Sequence, residues 1–329
     1  VLMESLALGM NPADEAMLAA VIGDGATPVV HTRSFTTMGS NANVTIVGGH
    51  ASLVDDAVGL AAELEGLWTR FSPDSDISVL NWSEGKPTEV DRRTADVIDM
   101  MQRAHRDTSG AFDPTLLPAL MRQGYTHSLV DPSRITTLPA SAVAPGRLEE
   151  IVIEGTVVTM PVGTTLDAGG IGKGYAADLI SDYLKSQGVL GAMVELGGDL
   201  RVQGFSPRGR GWRLGVENPV SHVNHVSVIE IESGGLATSS QLKRRFVSDE
   251  GRDGHHLIDA QSSSSIESQV LSVTVLAPSA WEAEVLAKVG FLRTPAEFLT
   301  LARRRGVKVG VFTSDGAWTR SSDWPEYRA

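Results

Sequence analysis

Cysteine is missing altogether from the 329 residues. Disulfides, thiolate metal sites and cysteine nucleophiles are thereby excluded, although compartment is not decided by that. Positive charge is scarce: 28 Lys and Arg stand against 40 Asp and Glu, for a net charge of -12. Such an acidic surface argues against nucleic acid and against an anionic membrane as partners. A phosphate-bearing ligand would need a local positive site or a bound cation working against the global field. Long apolar runs are also lacking. The first twenty residues, VLMESLALGMNPADEAMLAA, have no basic start, no membrane-length stretch and no cysteine to lipidate. They read as neither signal peptide nor membrane span, and the chain reads as cytoplasmic, with a segment upstream of Val1 left open.

What is present is an ordinary globular composition, 42% apolar, in a chain long enough for one large domain or two small ones. Residues 1–30 read as an N-terminal extension: a short helix, then the connector GDGATP. Residues 31–329 read as the folded unit. Asn43 to Val47 is strand-like. Leu53, Ala57, Leu60, Leu64, Leu67 and Phe71 recur at helical spacing. Asp91 is placed to cap a helix with Val97, Ile98, Met101 and Ala104 on its apolar face. Residues 125–150 form a polar, proline-containing excursion. A helix after Gly174 stops at Gly188, and Ala192 to Leu196 is a buried strand. Near the end, Val270 to Leu276 is a strand, and Ser279 to Glu282 and Thr294 to Glu297 both have capping-box spacing. Lys308 to Phe312 and Ala317 to Arg320 close a hairpin around Asp315-Gly316. Helix and strand alternate without a regular β-α-β rhythm, and no internal repeat is detectable. The class is α+β.

The chemistry concentrates in LDAGGIGKGYAADLISDYLKSQGVLGAMVELGGDLRVQG, Leu166 to Gly204. A carboxylate, a glycine run, Lys173 and a helix start fall within about ten residues, and a second glycine pair beside Asp199 follows. Glycines let backbone amides approach an oxyanion, and a helix N-terminus adds positive potential there. Gly172-Lys173-Gly174-Tyr-Ala-Ala177 also meets a loose dinucleotide pattern, but without the surrounding βαβ unit. It fails as a P-loop, because Asp167 and Gly174 stand where a glycine and a magnesium-binding hydroxyl are needed.

Five blocks, in order, resemble the ApbE family, the FAD:protein FMN transferases: Phe35 to Ser40, Leu64 to Asn81, Thr108 to Pro114 (TSGAFDP), Leu166 to Asp199, and Gly234 to Ser239 with His255 to Asp259 (HHLID). The resemblance implies an ApbE-like, T-fold-like architecture of two related α+β halves with the ligand between them. It implies FAD as substrate, with Met38 and the aromatic Phe71 near the flavin. It places Ala111, Phe112, Asp113, Asp167, Lys173 and Leu257 among the FAD-contacting positions. Gly170 and Glu284 match metal-site positions, and the metal would be magnesium. His256 and Lys173 are the expected catalytic pair, with His256 as the base, since imidazole titrates near neutral pH. The partner would be a flavin-acceptor protein whose serine or threonine attacks the phosphorus of the FMN half, releasing AMP.

Each assignment has a plainer alternative. Asp113 is also a turn aspartate, Phe71 a core aromatic, and His256 a half-buried histidine beside Leu257 and Ile258. Family members carry Asp and, four residues on, Thr where this chain has Glu284 and Lys288. Glutamate binds magnesium through oxygen, and a protonated lysine does not. Glu and Lys at i and i+4 are also a favoured helix pair, worth roughly 0.2–0.5 kcal/mol. A sharper reading puts the Lys288 ammonium where cation charge is needed. After HHLID the family continues with Pro and Thr-Gly, whereas Ala260 to Ser265 is a serine run that reads as a flexible loop. Two other functions remain open: an FAD hydrolase or an enzyme using another nucleotide, and a non-catalytic flavin-binding protein. Retention of His256 and Lys173 favours chemistry.

Overall fold

A computed structural model describes residues 28–128, 130–243, 245–247, 253–255, 257–259, 262, 264–266 and 268–328. The helix expected within residues 1–30 lies outside this set. One antiparallel sheet organises the molecule. Its eight main strands are β1 (Val30–Thr37), β2 (Ser40–Val47), β3 (Gly191–Leu196), β4 (Asp199–Ser206), β5 (Gly234–Ser240), β6 (Val270–Ala277), β7 (Lys308–Thr313) and β8 (Trp318–Arg320), each paired with the next. The two-residue strand Gly209–Arg210 extends β4.

Seven α-helices complete the described frame: α1 (Ser52–Trp68), α2 (Asp76–Asn81), α3 (Arg92–Asp107), α4 (Leu117–Arg122), α5 (Gly172–Ser186), α6 (Ala280–Val289) and α7 (Pro295–Arg305). β1–β2, α1, α5 and β3–β4 make one hairpin–helices–hairpin unit. β5–β6, α6, α7 and β7–β8 make another. The two expected halves are therefore present, although the sequence shows no repeat. About a hundred residues inserted between α1 and α5 break the period, and only the topology is shared.

The helices form because their apolar residues recur on one face. Leu53, Val54, Ala57, Ala61, Leu64 and Trp68 of α1 are buried, as are Ala176, Ala177, Ile180 and Leu184 of α5. They pack on Ala42, Val44 and Ile46, which alternate along β2. A second core joins α6 and α7 to β6 and β7 through Val273, Val275, Leu286, Phe291 and Phe298. The opposite sheet face is covered by the hairpin Trp212–Asn218/Ser221–Ile231, which brings Trp212, Leu214 and Ile229 onto Val202 and Leu236. No helix among the described residues is long and apolar enough to cross a membrane.

Most local expectations hold. Asp91 accepts from the Arg93 amide at 2.8 Å, and Thr294 with Glu297 forms a complete capping box. Ser279 does not cap α6. Its place is taken from the other half by Asp178 of α5, whose carboxylate accepts from the Ala280 and Trp281 amides, each at 2.9 Å. A carboxylate reaches two helix-start amides at once, which a serine hydroxyl cannot do. α1 ends at Trp68, so Phe71 stands beyond the helix. Met38 and Gly39 form the hairpin turn between β1 and β2, with φ of 49° and 70°.

Candidate functional site: a cleft between the two halves

The turn from Leu166 to Gly174 is pinned before it meets any ligand. Asn81 donates to the Leu166 carbonyl at 2.9 Å and accepts from its amide at 2.7 Å. The Asp167 amide donates to the Pro114 carbonyl at 3.0 Å, which fastens the GAFDP block to the glycine turn. Asp167 accepts from the Gly169 amide at 2.9 Å and so caps the short 3-10 turn Ala168–Gly170. Phe112 lies against Gly170, where a Cβ would stand 2.7 Å from its ring. Glycine is therefore required there for contact rather than for φ.

Three adjoining cavities meet at Gly169. One of ≈ 400 Å³ is lined by Met38, Trp68, Phe71, Tyr125, Asp167 and Lys173. A second, ≈ 840 Å³, holds Ser40, Gly197, Asp199, Thr238, Lys173 and Lys288. The third, ≈ 120 Å³, holds Ala111, Phe112, Asp113, Gly170, Leu257 and Lys288. Every position expected from the sequence to contact FAD thus lines one of three cavities that share Gly169. Met38 reaches it in a left-handed conformation, an uncommon state for a side-chain-bearing residue.

Asp113 is already engaged. Its Oδ1 accepts from the Thr115 amide at 2.8 Å and from the Thr115 hydroxyl at 2.6 Å, so the turn role is realised alongside its position on the cavity wall. His256 lies outside the described residues. Its neighbour Leu257 is buried on the cavity wall. Of the serine run expected to be a loose loop, the described residues Ser264 and Ser265 pair back onto this segment. The Ile266 amide donates to Leu257 and the Asp259 amide to Ser264, at 3.0 and 2.9 Å.

Arg70 and Tyr125 line the site without any signal in the sequence. Arg70, 5% exposed, places its guanidinium 4.2 Å from the Phe71 ring centroid and 4.7 Å from that of Tyr125. It donates to the Thr136 hydroxyl at 2.7 Å and the Tyr125 carbonyl at 3.0 Å, and lies 3.6 Å from Asp167. Tyr125 and Thr136 belong to the irregular 125–150 excursion, which no periodicity places in space.

The electrostatic centre is a cluster of four charges. Lys173, at the start of α5, donates to Asp199 of β4 and to Glu284 of α6, the latter at 2.8 Å. The other Glu284 oxygen accepts from the Gly174 amide at 2.8 Å. Lys288, one turn further along α6, donates to Glu284 Oε1 at 3.2 Å and to its carbonyl at 3.3 Å. Burial pushes the Glu284 carboxyl up, but the ammoniums of Lys173 and Lys288 outweigh it and hold the group at about 2. Burial pushes Asp199 up against the pull of Lys173, and pushes Lys288 down against Glu284.

These residues do not fit a divalent cation at Gly170 and Glu284. Both Glu284 oxygens are taken by nitrogen donors. The Lys288 side chain fills the intervening space, its Cδ 3.7 Å from where a Gly170 Cβ would be. Among the described residues no group of three His, Asp or Glu side chains is placed to hold a metal.

A model of the ApbE family matches residues 38–312. The chain is 31% identical over 264 residues to an FAD:protein FMN transferase of Vibrio cholerae, covering 76% of this chain and 78% of the relative. It is 26% identical to one of Klebsiella pneumoniae, with 100% and 94% covered. Among solved structures, the Pseudomonas stutzeri flavinyl transferase ApbE superposes with TM-score 0.77 at 26% identity, covering 93% of this chain and 100% of that one. The Thermotoga maritima ApbE protein superposes with TM-score 0.79 over 90% of this chain and 98% of its own, and at 23% identity it speaks for the fold alone.

Proposed function

The chain belongs to the ApbE family, and from that premise we propose that it transfers FMN from FAD to a hydroxyl of an acceptor protein. The observation that carries the reading is convergence. Blocks spread over about 220 residues of sequence, at Met38, Phe71, Phe112, Asp167–Lys173 and Leu257, border one cleft between the halves.

FAD is the substrate. Its isoalloxazine lies in the aromatic cavity of Met38, Trp68, Phe71 and Tyr125, where flat rings stack on flat rings. Its pyrophosphate lies over the Asp167–Gly174 turn beside Lys173. A serine or threonine oxygen of the acceptor attacks the phosphorus of the FMN half. The new P–O bond forms as the bridging P–O bond to AMP breaks, and AMP departs with the bridging oxygen. The acceptor proton passes to His256, the base in this reading, which lies next to cavity-lining Leu257. Charge on the phosphoryl oxygens is met by fixed cations, which cost no reorganisation during the reaction.

The test is intact-mass spectrometry of a candidate acceptor after incubation with the protein and FAD. An FMN-sized mass gain that treatment of the acceptor serine or threonine (substitution by alanine) abolishes, with stoichiometric AMP release, is expected. FMN and AMP released at the same rate without any acceptor would replace transfer by hydrolysis.

A further inference from the structure

We propose that the positive charge on the cleft floor is a fixed pair of ammonium groups, Lys173 and Lys288, and that the protein receives the dinucleotide pyrophosphate on them without a divalent cation. The identity of the ligand rests on the flavin-transfer reading. The character of the cation site does not.

Glu284 and Asp199 contribute two negative charges, and Lys173 and Lys288 two positive ones. The cluster is neutral before any ion arrives, so the two carboxylates that would attract a divalent cation are already satisfied. Glu284 is fully buried and receives two ammoniums and one backbone amide, so both its oxygens are engaged and about three of its roughly four acceptor sites are taken. Magnesium demands near-octahedral oxygen ligation and gives up its water reluctantly. To sit here it would have to expel Lys288 from Glu284 and leave a half-buried ammonium without its carboxylate.

The cluster also spans the two halves. Lys173 and Asp199 come from the first, Glu284 and Lys288 from the second. Helix packing fixes this geometry, since a Cβ on Gly174 would stand 2.4 Å from the Ala280 carbonyl. The ammoniums are thus held in place by the same contacts that join the halves. Both lysines border the ≈ 840 Å³ cavity, and Lys288 borders the GAFDP cavity as well. Its side chain is 18% exposed, while Glu284 beneath it is 1% exposed. An incoming phosphoryl oxygen therefore meets the cation before the carboxylate.

The experiment uses manganese as a spin probe. EDTA-stripped protein is titrated with Mn2+ by electron paramagnetic resonance, with and without FAD, and FAD binding is measured by calorimetry in EDTA and in magnesium. Wild type is expected to hold no Mn2+ in the micromolar range, with FAD affinity the same within about twofold in the two buffers. Lys288→Thr, which removes the ammonium and restores a hydroxyl, is expected to bind Mn2+ at least about 100-fold more tightly. Micromolar Mn2+ binding by wild type, or a tenfold or larger loss of FAD affinity in EDTA, overturns the proposal. If Lys288→Thr does not fold by circular dichroism, the wild-type titration still decides. Absence of FAD binding in both buffers would instead overturn the flavin reading, with the manganese titration still judging the cation site by itself.

Discussion

Glu284 and Lys288, four residues apart, show what a residue pair states in sequence and what it withholds. Spacing alone favours a solvent-exposed helix pair, the commonest use of Glu and Lys at i and i+4. The structure turns the same pair inward, onto Lys173 and Asp199, because α6 lies against α5 at Gly174. Lys173 and Asp167 were legible because glycines flank them and a helix follows. Arg70 was not, since a buried arginine between two rings is defined by a tyrosine 55 residues away. For His256 the expectation is kinetic. His256→Ala should bind FAD nearly as wild type while transferring FMN about 100-fold more slowly or worse. Calorimetry and acceptor mass spectrometry on one preparation separate the two effects. Transfer at the wild-type rate would reduce His256 to a structural residue and remove the base from the mechanism.

Among the elements, α6 depends on a neighbour for its start. Its own Ser279 makes no cap bond, and Asp178 of α5 supplies both acceptors while lying 3.5 Å from Arg201. The sequence-level capping pattern placed the helix correctly but named the wrong cap, because a cap from another helix leaves no local trace. By contrast, Asp91 and Thr294 cap within their own segments and were readable. Burial raises Asp178 to about 6 from its ordinary 3.8, against the two amides and Arg201. The folded state therefore holds this proton more tightly than the unfolded chain. The associated stability is complete below about pH 4 and is lost as pH rises through about 6. Asp178→Asn stays neutral throughout and retains one acceptor. The difference in unfolding free energy, wild type minus Asp178→Asn, should fall by roughly 2.5 kcal/mol between pH 4 and pH 7.5. Urea titrations at the two pH values measure it. A difference independent of pH would mean that the amides and Arg201, rather than burial, govern this carboxyl.

At the scale of the whole molecule, two hairpin–helices–hairpin units share one sheet, and the ligand region lies where they meet. The α+β class was legible from the alternation of periodicities. The symmetry was not, because the hundred-residue insertion after α1 separates α1 from α5. This arrangement fixes which ligand should matter to stability. FMN ends in one phosphate and can engage the aromatic cavity and the Asp167–Gly174 turn, both built largely from the first half and its insertion. In the proposed binding mode FAD continues through its pyrophosphate toward Lys288 on α6 and the Thr238–Ser240 edge of β5, which line the same cavity and belong to the second half. A ligand that contacts both halves should bind more tightly and resist their separation more strongly. FAD is expected to bind at least about tenfold more tightly than FMN, a difference of about 1.4 kcal/mol. At a concentration 100 times its Kd, FAD should stabilise the fold by about 2.7 kcal/mol, and FMN at that same concentration by correspondingly less. Calorimetry gives the affinities and thermal unfolding gives the ranking. If FMN binds as tightly and raises Tm as far as FAD, the adenylate side of the ligand gains nothing from the second half, and the cleft between the halves is not the dinucleotide site.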